Sequence, residues 1–377
     1  MMKILILHNQ LWSQYKSIVF EKISNFCINN GDELLVIQTS ICENSRKDLI
    51  DFDVNSFNYQ YKFILLNNNY LESTNSFATT IKWIKHVFQY KPDLINLTGY
   101  SEPGTLVILL LCKILNIKTI ITNETVYNKQ SDSIGLLLWL KKLYKIVLFY
   151  FTDYFFSYGI NSNDFLFRHK VLKGKILSFL NSFDSERFKT LSIINVVNEP
   201  YFLFVGRISI EKNIEFLIQM AVKLKNINSN IKIKIIGSGP DFEELNLKIS
   251  NLNLTNILVL GSINWDNLGQ YYSNSLGLIL PSFFEPWGMV ANEAFFYRVP
   301  VICSEFCGCA NDLVINDFNG IVLQDYSLTL PDYDIGNFIT KFLDLRDAFI
   351  SNIKLTNHIF EPNRLSSDLY LSFKRIL

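Results

Sequence analysis

Short, uninterrupted apolar runs alternate along the whole chain with longer stretches whose apolar residues recur at helical spacing. That alternation limits the fold more than any other feature. In the first half the runs are Ile4–Leu7, Leu34–Gln38, Phe63–Leu66, Leu94–Leu97 and Thr119–Thr122, and helix-like stretches lie at Tyr15–Asn29, Phe77–Gln89 and Gly104–Leu115. Strands that are apolar throughout need cover on both faces, which a parallel sheet receives from its own crossover helices.

The second half repeats the scheme. Strands are expected at Tyr201–Val205, Ile231–Ile236, Ile257–Leu260, Gly277–Leu280, Val299–Cys303 and Gly320–Leu323. Helices are expected at Asn213–Lys225, Phe242–Ser250, Trp265–Asn274, Met289–Phe296 and Ile335–Leu345. At 377 residues the chain is long enough for two cores. The polar stretch Ser192–Pro200 reads as the linker between them. The fold class is therefore α/β, with two Rossmann-like domains facing a central cleft, and ligands of such sheets bind at the carboxyl ends of the strands.

Charge narrows the function classes. The chain is neutral overall, which argues against a dedicated nucleic-acid binder. Residues 1–180 carry 19 Lys+Arg against 14 Asp+Glu, and residues 181–377 carry 16 against 21. A basic first half is compatible with anionic lipid headgroups, and equally with an uneven solvated surface. The six cysteines of a chain this long suggest a reduced, cytosolic protein. Cys303, Cys307 and Cys309 cluster in sequence but lack a second pair at zinc spacing, so no metal site is expected there. The start, Met1–His8, is too short in apolar residues for a signal peptide, and no run approaches a membrane span.

Three strand-to-loop junctions of the second half carry chemistry. In Phe204-Val205-Gly206-Arg207…Lys212-Asn213, a strand ends at a glycine and two cations follow at the start of a helix. Arginine can fork onto phosphate oxygens, lysine adds a mobile charge, and the helix N-terminus adds its dipole. Basic residues at a strand end can equally be only solvated. In Gly237-Ser238-Gly239-Pro240-Asp241 the glycines resemble a dinucleotide fingerprint, but Phe242 fills the third glycine position. No acidic residue ends a strand about 20 residues later, so the segment reads as a tight turn and nicotinamide binding is disfavoured. The third junction, Leu280–Ala294, places Glu285 in a loop after a buried strand and Glu293 eight residues on, inside a helix. Gly288 at the turn lets backbone amides approach an anion closely. One carboxylate can face a loop ligand while the other accepts from a diol; alternatively Glu293 is a helix-surface residue and Trp287 a core aromatic.

With these residues in view, the stretch Tyr201–Leu323 resembles glycosyltransferase family 4, the group 1 retaining enzymes of the GT-B fold, which share a Glu-x7-Glu motif. The later Gly308-Cys309-Ala310…Asp312-Leu313-Val314…Asn319-Gly320 also resembles that family's loop and following strand. The resemblance implies an acceptor-binding domain at 1–190, a nucleotide-sugar-binding domain at 196–360 and a last helix, 361–377, that packs back on the first domain. It implies that Gly206, Arg207 and Lys212 lie at the donor diphosphate and that Glu285 contacts the transferred sugar. Amides near Gly288, Met289 and Val290 would hold phosphate or sugar oxygens, and Glu293 the ribose. Arg207, Lys212 and Glu285 are then the catalytic set. No cofactor and no metal are expected, because GT-B relatives need none. The pairs Asp51/Asp53 and Asp332/Asp334 read as solvated turns.

The first half matches less well. The loop Asn9–Lys16 has no glycine where relatives often carry a pair, which leaves Gln14 and backbone amides, or a loop that serves the acceptor. Tyr100 and Glu124 follow later strands and are expected as acceptor-side contacts, or as polar loop ends without a role. Among four histidines only His8 ends a cleft-facing strand, and no catalytic base is assigned. Residues 136–151 are apolar with Lys141, Lys142 and Lys145 on one side. They read either as an interfacial helix on a membrane surface or as a helix packed on the domain. The expected function is retaining transfer of a sugar from a nucleotide diphosphate sugar to a glycan or lipid-linked acceptor in surface polysaccharide biosynthesis. The expected place is the cytoplasm, with a peripheral position on the inner face of the cell membrane left open. A catalytically silent nucleotide-binding subunit and a nucleotide-sugar epimerase are the alternatives.

Overall fold

The computed structural model describes residues 1–11, 14–44, 59–127, 136–183, 199–227, 229–324, 335–356 and 361–377. The linker expected at 192–200 lies almost entirely outside them, as do both Asp-x-Asp pairs. Two parallel sheets organise the chain. The first contains β1 (Lys3–Gln10), β2 (Glu33–Ser40), β3 (Phe63–Leu65), β4 (Leu94–Leu97), β5 (Lys118–Asn123), β6 (Tyr154–Tyr158) and β7 (Ile176–Phe179), in the order β3-β2-β1-β4-β5-β6-β7. Every pairing in it is parallel.

Helices cover both faces of this sheet. On one side α2 (Ser76–Tyr90), α3 (Gly104–Leu115), α4 (Leu136–Phe151) and α5 (Ile160–Arg168) bury Trp83, Leu109, Phe149 and Leu166. Asn75 starts α2 by accepting from Ala78 N at 3.0 Å, which satisfies one of the amides a helix start leaves over. On the other side lies α1 (Gln14–Asn29), and against it the last helix of the chain.

The second sheet holds β8 (Tyr201–Val205), β9 (Lys232–Ile236), β10 (Ile257–Val259), β11 (Gly277–Leu280), β12 (Val301–Ser304) and β13 (Gly320–Leu323), in the order β10-β9-β8-β11-β12-β13. Its helices are α6 (Ile214–Asn226), α7 (Phe242–Asn251), α8 (Leu268–Ser273), α9 (Met289–Phe296) and α10 (Ile335–Thr356). The chain then returns to the first domain as α11 (Pro362–Ile376). Phe373 packs on Phe156, Tyr370 stacks on Phe26, and the Tyr370 hydroxyl donates to Asp32 Oδ2 at 2.7 Å. Each large apolar side chain so buried contributes about 1.5–3 kcal/mol.

Strand order locates the ligand crevices. It reverses between β1 and β4 in the first sheet and between β8 and β11 in the second, and open parallel sheets bind ligands at such switch points. Two strands of the first sheet, β6 and β7, were not among those read from the sequence, and α10 runs eleven residues beyond the Leu345 expected as its end.

Candidate active site

The switch point of the second sheet is where the charged loops meet. After β8 the chain passes Gly206 and Arg207 into a short turn, Ile210–Lys212, before α6. After β11 it passes Ser282 and Phe283 to Glu285 and turns into α9 at Gly288. Backbone amides stitch the loops together: Phe283 N donates to Glu211 O at 2.9 Å. Lys212 Nζ is thereby brought onto Glu285 Oε2 in a short ion pair, with both side chains 16% exposed. Burial pushes the Glu285 carboxyl above its usual range, and the Lys212 ammonium opposes that rise. Arg207 reaches outward, 53% exposed, and donates to Glu211 Oε1 at 2.6 Å. A solvent-facing guanidinium thus stands beside a sheltered ammonium.

Glycines let the backbones close around these side chains. A Cβ on Gly237 would lie 1.8 Å from the Gly206 carbonyl oxygen, and one on Gly239 would lie 2.1 Å from that of Ile208. The Gly237-Ser238-Gly239 turn therefore braces the Arg207 loop, the structural part its sequence suggested. Beneath the Glu285 loop runs 306–309: Gly308 N donates to Glu285 O at 2.8 Å and Cys309 N to Trp287 O at 2.9 Å. Gly308 itself has no room for a side chain, since its Cβ would meet Pro286 O at 1.9 Å. Gly288 adopts φ +94° and hands the chain to α9, whose first residues are Met289 and Val290. Glycine is at home in the left-handed conformation of that corner, and a helix start leaves its first amides without intrahelical acceptors.

Glu293 lies deeper than the sequence implied. It is only 2% exposed, and both carboxylate oxygens are engaged. Tyr15 OH, from α1 of the first domain, donates to Oε1 at 2.5 Å, and Tyr272 OH, from α8, donates to Oε2 at 2.7 Å. Burial raises the carboxyl to about 7, against the pull of the two phenols. Neither tyrosine was singled out in the sequence, and no local signal could have done so: Tyr15 and Glu293 are 278 positions apart. Trp287 is a core aromatic, buried and donating from Nε1 to Asn292 Oδ1 at 2.8 Å.

The facing rim of the first domain is occupied by its own side chains. Lys16 Nζ pairs closely with Glu124, lies 3.2 Å from Asn181 Oδ1 and sits 4.1 Å above the Tyr158 ring. Burial alone would lower the Lys16 pKa, but Glu124 and Tyr158 raise it above the ordinary lysine value. Tyr100 OH lies 3.1 Å from both Asn123 Oδ1 and Thr125 Oγ1, so it bridges two loops within the domain. The Gln14 side chain lies outside the described residues. His8, expected at a cleft-facing strand end, is buried under Phe20 with Nδ1 2.5 Å from Thr98 Oγ1. Burial and the nearby Lys16 hold its pKa down at about 3, so the ring is neutral at physiological pH.

The domains touch around this crevice. Besides the Tyr15–Glu293 bond, Asn161 Nδ2 donates to Cys307 O at 2.9 Å, and Asp312 Oδ2 accepts from Ile160 N at 2.6 Å. A carboxylate at the start of α5 is favoured by the helix dipole. Cys303, Cys307 and Cys309 are all buried beneath Glu285. Among the described residues no group of three or more His, Cys, Asp or Glu side chains is arranged to hold a metal ion.

Comparison with known proteins bears on the same half of the chain. Residues 188–350 match the family description "Glycosyl transferases group 1". The second domain is thus similar to the group 1 glycosyl transferases. The chain resembles an uncharacterized glycosyltransferase of Methanocaldococcus jannaschii, 34% identical over 125 residues, 33% of this chain and 32% of that protein. It also resembles a Campylobacter jejuni α-1,4-N-acetyl-D-galactosaminyltransferase named for an undecaprenol-linked acceptor, 30% identical over 148 residues, 39% of this chain and 37% of that protein. The matches thus span about a third of each relative's own length. In three dimensions the chain is similar to HepE of Anabaena, crystallised with UDP, at TM-score 0.72 and 16% identity over 99% of this chain and 100% of that one. With its two parallel sheets and shared crevice, the fold is GT-B. The matched segment contains the eight residues expected at the donor, Gly206 to Glu293.

Proposed function

We propose that the chain is a retaining glycosyltransferase that moves a sugar from a nucleotide diphosphate sugar to a glycan or lipid-linked acceptor. The observation that carries this reading is the convergence, at one switch point, of the Arg207–Lys212 loop and the Glu285–Gly288 loop. Arg207 and Lys212 supply two cations where a diphosphate would lie, one facing solvent and one released from Glu285 as the anion arrives. The bond from the sugar's anomeric carbon to the phosphate oxygen breaks, and a bond to the acceptor oxygen forms on the same face. The acceptor's proton passes to the departing phosphate, so no side-chain base is required, in keeping with the sealed, neutral His8. The two cations stabilise charge that develops on the leaving group, worth about 3–4 kcal/mol per donor.

Glu285 serves as the contact to the transferred sugar and the amides of Gly288, Met289 and Val290 as the anion cradle. Glu293 takes the ribose once Tyr15 gives up its bond. No metal ion takes part. An undecaprenol-linked acceptor in one relative's name and UDP in one neighbour's crystal support a nucleotide-sugar donor and a lipid-linked acceptor, in a surface polysaccharide pathway on the inner face of a membrane. Tyr100 and Glu124 remain proposed on the acceptor side, through the loops they hold.

Titration calorimetry with UDP, GDP, CDP, ADP and dTDP on the wild type and on Glu293→Gln tests the donor site. One nucleotide is expected to bind clearly and to weaken by about 1.5–3 kcal/mol in the variant. Absence of binding to the folded chain would discard the donor assignment and favour a silent subunit.

A further inference from the structure

The outer surface of the first domain carries three apolar stripes side by side. On α2, Phe77, Ile81 and Phe88 are between 51% and 77% exposed and fall on one helical face. On α3, Val107, Leu110 and Ile114 repeat at the same spacing, with Ile114 81% exposed. On α4 the stripe is Leu143, Ile146 and Tyr150, preceded by Trp139, which is 60% exposed. The helices are neighbours in the order α2-α3-α4, so the stripes form one continuous face. That face lies on the side of the sheet opposite α1 and α11. Helices on a globular surface ordinarily turn a single apolar stripe inward, and these three have a second one turned outward. A contiguous exposed apolar surface of this kind marks an interaction site.

Charge decides what it meets. The three helices carry six lysines and no aspartate or glutamate; Lys82, Lys113 and Lys145 are engaged inside the domain by Asn67, Asp153 and the Phe165 ring, and Lys85, Lys141 and Lys142 are exposed. Two copies of this face would set lysine against lysine. An anionic lipid headgroup layer instead takes Lys85, Lys141 and Lys142, while the apolar and aromatic side chains enter the acyl boundary. Among the described residues no helix is long and apolar enough to cross a membrane. We infer that the α2-α3-α4 face is a membrane-docking surface that rests on anionic lipid without spanning it. It extends the notion of a single interfacial helix at 136–151 to a platform of three helices. The platform also reaches the cleft: Tyr144 OH of α4 contacts the Glu102 carbonyl at 3.5 Å, in the loop beside Tyr100. A headgroup at its rim would stand near the acceptor side of the crevice, so the inference builds on the lipid-linked acceptor proposed above.

The test is co-sedimentation of the full chain with phosphatidylcholine vesicles made with and without phosphatidylglycerol. Binding is expected only to the anionic vesicles and is expected to fall with salt. The double variant Phe77→Glu/Ile114→Glu, both at strongly exposed positions, should lose at least about tenfold in binding with an unchanged melting temperature. The variant Lys141→Glu/Lys142→Glu should lose the preference for anionic lipid, which keeps the test decisive if the first variant misfolds. Absence of vesicle binding, or binding that neither variant alters, overturns the inference. So does a wild-type dimer in sedimentation velocity that Phe77→Glu/Ile114→Glu dissolves, since the face would then be a contact between copies. Vesicle binding needs no nucleotide, so a chain that binds UDP but ignores vesicles refutes this face alone. A chain that binds vesicles but no nucleotide refutes the donor site alone.

Discussion

The two sheets reverse strand order in the same way, yet their crevices are furnished differently. At the switch point of the second sheet, Arg207 faces solvent and pairs with Glu211, and Lys212 pairs with Glu285, a group of the same loop cluster. At the switch point of the first sheet, His8 and Thr98 are closed on each other, and Lys16, Glu124, Tyr158 and Asn181 form one satisfied group beside them. Both rims pair their charges, but only the second leaves a cation, Arg207, largely open to solvent, at 53% exposed. A buried or half-buried ion pair must stay matched to be tolerated, so the first rim is built for position. The second rim keeps Arg207 near water, where an arriving anion can take it over, while its Lys212 is as sheltered as Lys16, both 16% exposed.

Three substitutions test that contrast. The largest effect is expected from Lys212→Ala, on the donor-side rim. Removing a donor to the leaving group should lower kcat for sugar transfer by about 100- to 1000-fold, and leaving the sheltered Glu285 unpaired should cost about 1–3 kcal/mol of stability. Loss of stability with an unchanged kcat would mean that Lys212 is structural, like its counterparts across the cleft.

The second concerns Glu293, which lies between the rims. Its folded pKa, about 7, stands above the ordinary glutamate value of 4.5. The folded state therefore holds a proton that the unfolded chain has lost between these values. The stability this contributes is fully present below pH 4.5 and is lost as pH rises through about 7. Wild-type stability should decline across that window by about 2–3 kcal/mol, and Glu293→Gln should flatten the decline. Denaturant midpoints measured from pH 4.5 to 8 check this, and a variant with an unchanged slope would place the titration elsewhere.

The smallest effect is expected on the inward-turned rim. Lys16→Met keeps the packing of the stem and leaves Glu124, already 37% exposed, able to turn to water. It should cost about 1–3 kcal/mol of stability, less than the loss of a partner from a fully buried pair, and should leave nucleotide affinity intact. A matching loss of nucleotide affinity would erase the distinction between the rims.

The same contrast explains what could be read in the sequence. The donor loops are local: Gly206-Arg207, Gly237-Ser238-Gly239 and Glu285…Glu293 each lie within one strand-to-helix junction, so their spacing shows in a line of letters. The first rim is assembled from long-range pairs. Lys16 meets Glu124 and Tyr158, and Tyr15 meets Glu293, with nothing in the intervening sequence to announce it. Strands followed the same logic. Fully apolar β4 and β11 stood out, whereas β6 follows α4 after only Thr152 and Asp153, so two apolar runs merged into one. The edge strand β7 is half exposed and carries Ser178, which blurred its pattern. Exposed apolar stripes on α2 and α3 were equally hidden, because a helix apolar on two sides reads as one that is simply buried.

The return of α11 to the first domain has a mechanical consequence. The polypeptide crosses between the domains twice, once between β7 and β8 and once between α10 and α11. Two tethers hold the domains face to face more closely than one would, because each closes a loop that a departing domain would have to stretch. Any parting of the domains must break the Tyr15–Glu293 and Asn161–Cys307 bonds, which span the cleft.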